Sequence, residues 1–180
     1  MTPRTIEPAD ASALPDPHSL NSRHREKVVE HLLVGELLRE MWCLHCTDVD
    51  VLRPEVDAAG YDVVFSHKRI IRHVQIKASL LGGRTQEQSV SEALAVHQSA
   101  CVVWAVVDQE LRFRHFLWFG GAPGEPLPDV TGFKRAKQTR ANAKGVKAAR
   151  RQTRVIRRNQ FELVPTVRDL VSKLFGKEYQ

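Results

Sequence analysis

Residues 60–79 read GYDVVFSHKRIIRHVQIKAS: two apolar, β-branched runs on either side of a polar turn. The pattern is that of a β-hairpin, with YDVVFS and IIRHVQIKASL as its strands and SHKR as its turn. Successive strand residues point to opposite faces, so Val74, Ile76 and Ala78 share one face while His73, Gln75 and Lys77 share the other. Asp62 stands at the start of the first strand. An acid, an amide and an ammonium therefore lie close together in an apolar hairpin, and β-propensity asks for none of them.

Upstream, Ser22 is a suitable N-cap for a helix running to about Trp42. At 100° per residue, Leu33, Val34, Leu37, Leu38 and Met41 fall on one broad apolar face. Glu30 falls near the middle of that face and Glu26 one turn before it, whereas Glu36 and Glu40 point elsewhere. A carboxylate on a buried stripe is costly unless it is paired or binds a cation. VDVLRP reads as a short strand and EVDAAG as a turn, in which Asp57 reads as structural, with reach to a metal as an alternate acid.

Downstream, Gly82-Gly83 breaks the chain, and QEQSVSEALAVHQ fits helix and strand equally. CVVWAVVD and LRFRHFLWF are strands, and GGAPGEPLPD is a Gly/Pro loop. A helix, the short strands TRVI and QFELV around a turn at Arg158-Asn159, and a terminal helix TVRDLVSKLFG follow. Thr166 caps that last helix, with Asp169 as its acidic capping-box partner. Helix, strands, helix, short strands and helix make an α/β domain with a mixed sheet over residues 21–180.

At 180 residues, with 42% hydrophobic and 27% charged residues, the chain suits one globular domain. No apolar run approaches the roughly 20 residues that span a bilayer. Residues 1–20 hold four of the nine prolines and no apolar stretch, which reads as a disordered leader and not as a secretory signal. Three cysteines give no disulfide framework, so a reducing cytoplasm is the expected setting. Cys43-Leu44-His45-Cys46 lacks the second Cys/His pair that a zinc site needs, and Cys101 lies in an apolar strand.

The net charge of +6 is concentrated. Segment 134–158 holds eleven bases (Lys134, Arg135, Lys137, Arg140, Lys144, Lys147, Arg150, Arg151, Arg154, Arg157 and Arg158) and no acid. Setting those aside leaves 16 of the 27 bases against 21 acids, a net −5. Such a block is the footprint of a phosphate-backbone partner, and Lys134 to Arg151 are its candidate nucleic-acid contacts.

Phosphodiester hydrolysis needs a cation to neutralise developing charge and a water made nucleophilic. A hard cation such as Mg²⁺ takes oxygen ligands, which Asp62, Gln75 and the Ile76 carbonyl can offer. Lys77, on the face of Gln75, can hold or help deprotonate the water, and Glu30 can complete the shell. This constellation resembles the PD-(D/E)XK nuclease superfamily, the restriction-endonuclease-like fold, over roughly residues 22–120. The resemblance rests on Glu30 in the first helix, Gly60-Tyr61-Asp62 before an apolar strand, and Gln75-Ile76-Lys77. It implies a core of a helix, a motif-bearing hairpin, then a helix and further strands around a mixed central sheet flanked by helices. It implies Asp62 as central metal ligand, Gln75 at the second motif position in place of the usual acid, Lys77 as catalytic lysine and Glu30 as a further ligand. Mg²⁺ or Mn²⁺ would be the cofactor and DNA, ahead of RNA, the substrate, with a homodimer left open.

The expected function is thus metal-dependent endonuclease cleavage of DNA. Two other readings stand beside it: an inactive nuclease-fold protein that binds nucleic acid or a protein partner, and a small basic RNA-binding protein. Residue by residue there are plainer roles. Asp62 can cap a turn, Lys77 can reach water from a strand end, and Arg23 or Arg72 can neutralise Glu30. His115 reads as a strand-face histidine, and Trp104 and Trp118 as core aromatics.

Overall fold

The computed structural model describes residues 22–56, 59–137 and 149–177, with the backbone alone described at 149–151. The leader, Asp57, Arg140, Lys144, Lys147 and the side chains of Arg150 and Arg151 lie outside the described residues. Helix α1 spans Ser22–Cys43. Strands β1 (Val49–Leu52), β2 (Val63–His67), β3 (Ile70–Leu80) and β4 (Glu87–Ser91) follow. A 3-10 turn, Glu92–Val96, leads to β5 (Ala100–Val107) and β6 (Phe113–Gly120). Then come β7 (Arg135–Lys137), β8 (Ala149–Arg157), a 3-10 turn at Arg158–Gln160, β9 (Glu162–Val164) and α2 (Val167–Phe175).

Six strands form one mixed sheet in the order β1-β2-β3-β5-β6-β9, and β4-β8-β7 form a smaller antiparallel sheet. Among the described strands of the large sheet only β3 and β5 run parallel. All eight residues of β5 are buried, as its continuous apolar sequence requires of a strand covered on both faces. On one face Cys101, Val103, Ala105 and Val107 pack with Val29, Leu33, Leu37 and Met41 of α1 and Leu170, Val171 and Leu174 of α2. On the other, Val102, Trp104 and Val106 pack with Val90 of β4 and Ile156 of β8. The molecule is layered as helices, large sheet, small sheet.

Local chemistry accounts for several of these elements. The β2–β3 hairpin closes through Lys68-Arg69, and its register pairs Val63 with Val74 and His67 with Ile70. On β3, Val74, Ile76 and Ala78 pack into the helix-side core, one face of the alternation. The α2 capping box is complete: Asp169 N–H donates to Thr166 Oγ1 at 3.1 Å and Thr166 N–H donates to the Asp169 carboxylate at 3.1 Å. Leu38 sits at the margin of the α1 apolar face and is exposed.

Two expectations are corrected. The connection from β3 to β5 carries no α-helix; it is β4 and the short 3-10 turn. Ser91 Oγ caps that turn by accepting from Ala93 N at 3.3 Å, and extended backbone at His97 ends it after five residues. The alternating QSVS instead pairs with β8, which places Val90 in the core. Between the Gly/Pro loop and β9, the described parts of the basic segment are strands, β7 and β8, and not a helix. TRVI is the inner part of β8, where β-branched Thr153, Val155 and Ile156 suit a packed strand. No helix of the described residues is long and apolar enough to cross a membrane.

Candidate active site

Strand β2 stops pairing at Val63, whereas β3 continues beyond Val74 to Leu80. The far half of β3 therefore presents an edge where β2 has ended, and edge N–H groups need partners. Asp62 supplies one. Its own N–H donates to the Val74 carbonyl at 2.9 Å, and its carboxylate accepts from Ile76 N at 2.6 Å, prolonging the ladder with a side chain. The turn that delivers Asp62 depends on Gly60, whose φ is +79° and whose missing Cβ would stand 2.7 Å from the Ser91 side chain.

A cleft of ≈ 470 Å³ opens at this notch. Arg23, Glu26, Lys27 and Glu30 line it from α1, at the i, i+3, i+4 and i+7 spacing of one helix face. Asp62, just before β2, lines it together with Lys77 of β3 and Gln88 of β4. Among the described residues three carboxylates (Glu26, Glu30, Asp62) face three bases (Arg23, Lys27, Lys77), which puts these walls near charge balance.

Glu30 is 5% exposed and forms ion pairs with Lys27 Nζ at 2.7 Å and with the Arg53 guanidinium. The pairing ties α1 to the end of β1 and removes the cost of a lone buried carboxylate. Its partners are not those expected. Arg23 lines the cleft, while Arg72 is fully buried elsewhere, donating to the Ala122 and Gly121 carbonyls at 3.0 and 3.1 Å and lying over Trp118.

Of the four residues singled out from sequence, Glu30, Asp62 and Lys77 share the cleft. Gln75 lies on the β3 face of Lys77, beside Val102 of β5, and is buried, with its Oε1 accepting from Ser91 N at 3.3 Å. Its amide oxygen thus braces the β4 end. Lys134, Arg135 and Lys137 stand at the start of the small sheet, with Arg135 and Lys137 exposed on β7. Among the described residues no three His, Cys, Asp or Glu side chains gather as a metal cage.

Gln88 and Arg53 were not found by sequence reasoning. An alternating reading of QEQSV would have placed Gln88 in phase with the buried Val90, and that was the available signal. Arg53 has none, because its partner lies 23 residues away.

A helix packed on a mixed sheet, an antiparallel hairpin with an acid at its entry and a lysine on its second strand, and a parallel strand beside that lysine are consistent with a restriction-endonuclease-like fold. No family model and no curated protein matches the chain. Among solved structures it is similar to Hjc, a Holliday junction resolvase of Archaeoglobus fulgidus, with TM-score 0.38 and 14% identity over 71% of this chain and 89% of that one. It is also similar to a bacterial homing endonuclease, with TM-score 0.35 and 20% identity over 58% of this chain. The match spans 66% of the homing endonuclease, just under two thirds of its length.

Proposed function

We propose that the protein is a divalent-metal-dependent nuclease that hydrolyses phosphodiester bonds in DNA. The observation that carries this reading is the meeting of Glu30 of α1, Asp62 at the entry to β2 and Lys77 of β3 in one cleft at the notch of the sheet. The donors there are hard oxygens, which fit Mg²⁺ or Mn²⁺: Mg²⁺ keeps several waters and takes one or two carboxylates plus substrate phosphate, so it needs no closed cage. Asp62 is the principal ligand in this reading, with Glu30 or Glu26 reached directly or through water. When bound, the cation supplies charge neutralisation at the phosphate and lowers the pKa of water.

The chain's own groups do the rest. The Ile76 N–H fixes the Asp62 carboxylate. The Lys27 and Arg53 cations hold Glu30 in place. Lys77, as a cation, donates to the attacking water and favours its hydroxide form, while the water's proton leaves to bulk solvent. Near charge balance in the walls lets a phosphodiester enter without strong repulsion. The basic segment holds the backbone without reading sequence.

The test is cleavage of plasmid and linear DNA with Mg²⁺ or Mn²⁺ by wild type and by Lys77→Ala. Wild type should cut, and Lys77→Ala should lose turnover while keeping metal binding, because lysine acts on the water. Gln75→Glu keeps the oxygen that Ser91 N–H reaches and adds the commoner acid, so tighter metal binding supports the placement. A second reading, nucleic-acid binding without cutting, draws on the engagement of Gln75 by Ser91 and of Glu30 by two cations. Wild type that binds DNA and cuts none with either metal decides for it.

A further inference from the structure

Arg158 follows β8, and its guanidinium lies over the fully buried Trp104 ring, 5.2 Å from the centroid. Its Nη2 is 3.1 Å from His115 Nε2. A guanidinium only donates, so Nε2 accepts and the imidazole is neutral, with its proton on Nδ1. Burial, and then the Arg158 charge, hold His115 below the usual histidine range, in agreement. Neither neighbour of Arg158 is anionic. Arg154, four residues earlier and within β8, differs: its Nε meets Glu92 Oε1 at 2.5 Å. Arg39, Arg53 and Arg168 likewise meet glutamates.

Arg158 opens into a basin of ≈ 600 Å³, lined also by Gln86, Arg114, His115, Asn159 and Leu163, and among the described residues by no carboxylate. Arg114 is exposed and only loosely paired with Asp108, at 3.9 Å. A concave surface with two arginines and an amide from each side suits a phosphate diester.

The basin lies on the Trp104 face of the large sheet, the face to which Lys77 and Gln88 of the cleft belong, while α1 lines the cleft from the other side. Lys77, Trp104, Leu117 and Leu163 are successive register partners across β3, β5, β6 and β9. Two strand spacings, about 10 Å, separate β3 from β6. Gln86 lines the basin and Gln88, two residues on, lines the cleft, with Arg158 N donating to the Gln86 carbonyl at 2.8 Å. About 10 Å is roughly three nucleotide rises of duplex DNA.

We propose that Arg158, seated on Trp104 and His115, forms with Arg114, Gln86 and Asn159 a subsite for a DNA backbone phosphate next to the cleft. The proposal rests on the nuclease-fold reading above but not on cutting. It is tested by anisotropy of a labelled short DNA duplex with the full chain over a salt series, in EDTA so that cleavage does not intervene.

Arg158→Gln should weaken binding about tenfold, equally on unrelated sequences, through loss of a charge-assisted bond. The slope of log K against log salt should become shallower by about 0.9. Arg158→Lys, which keeps the charge, should keep the slope. Melting curves check folding; where Arg158→Gln does not fold, Asn159→Asp, an exposed change that adds a negative charge to the basin, should weaken binding alike.

Unchanged affinity and slope in a folded Arg158→Gln, or unchanged affinity in Asn159→Asp, overturns the subsite. Weakening seen with an RNA duplex and not with DNA overturns the assignment to DNA. If the variants weaken binding while wild type cuts nothing with Mg²⁺ or Mn²⁺, the subsite stands and the catalytic reading falls. Cutting by wild type with unaltered binding by the variants gives the reverse.

Discussion

Asp62 carries two roles that one pair of substitutions separates. Its carboxylate accepts from Ile76 N at 2.6 Å, and in the proposed mechanism it is the principal anionic ligand. Asp62→Ala removes both, leaving the Ile76 N–H at a strand edge without its acceptor. Losing a charge-assisted bond of this kind at a half-buried position costs about 1–2 kcal/mol. In a domain of this size about 1 kcal/mol moves Tm by about 2–4 °C, so Asp62→Ala should melt about 2–8 °C below wild type. Asp62→Asn keeps a carbonyl oxygen in the same place and should stay within about 0.5 kcal/mol of wild type. Cleavage should not follow stability: both variants lack the negative ligand, and each should lose at least about a hundredfold in rate. Thermal melting by circular dichroism and a plasmid-nicking assay with Mg²⁺ read the two roles separately. An Asp62→Asn enzyme that cuts at the wild-type rate refutes the ligand role, and one that melts as low as Asp62→Ala refutes the account of the Ile76 bond.

Gly60→Ala should destabilise by about 2–4 kcal/mol, because φ of +79° disfavours a side chain and the new Cβ would lie 2.7 Å from Ser91 and 2.9 Å from Leu94 N; urea denaturation measures it. Burial pushes the Cys101 thiol from 9.0 to about 11, so at pH 8 an aromatic disulfide reagent should modify the exposed Cys43 and leave Cys101 unmodified until unfolding. A raised thiol pKa stabilises the native state below 9.0 and ceases to do so as pH rises through about 11, so Cys101→Ala should flatten the fall in stability over that range. Replacing Lys144, Lys147, Arg150 and Arg151 together by alanine should make the salt dependence of DNA affinity shallower by about 0.9 for each phosphate no longer neutralised, with Tm unchanged; an unaltered slope removes these residues from the interface.

The hairpin, the apolar stripe of α1 and the capping box of α2 were readable from sequence because each rests on local physics. Side-chain alternation has a period of two residues, the α1 stripe repeats within about one turn, and Thr166 meets Asp169 three residues on. The same locality put Gln75 and Lys77 on one face and Glu30 on a buried one. Tertiary structure decided what each then meets. Gln75 is braced by Ser91, Glu30 by Arg53, and Arg158 by Trp104 and His115. QEQSV became a strand because β8, more than sixty residues later, offered it a ladder, with Gln88 opposite Ile156. Between helix and strand of nearly equal local preference, the choice falls to the partner that buries Val90 and satisfies its neighbours' backbone groups. That partner comes from distant chain, and no short window of sequence contains it.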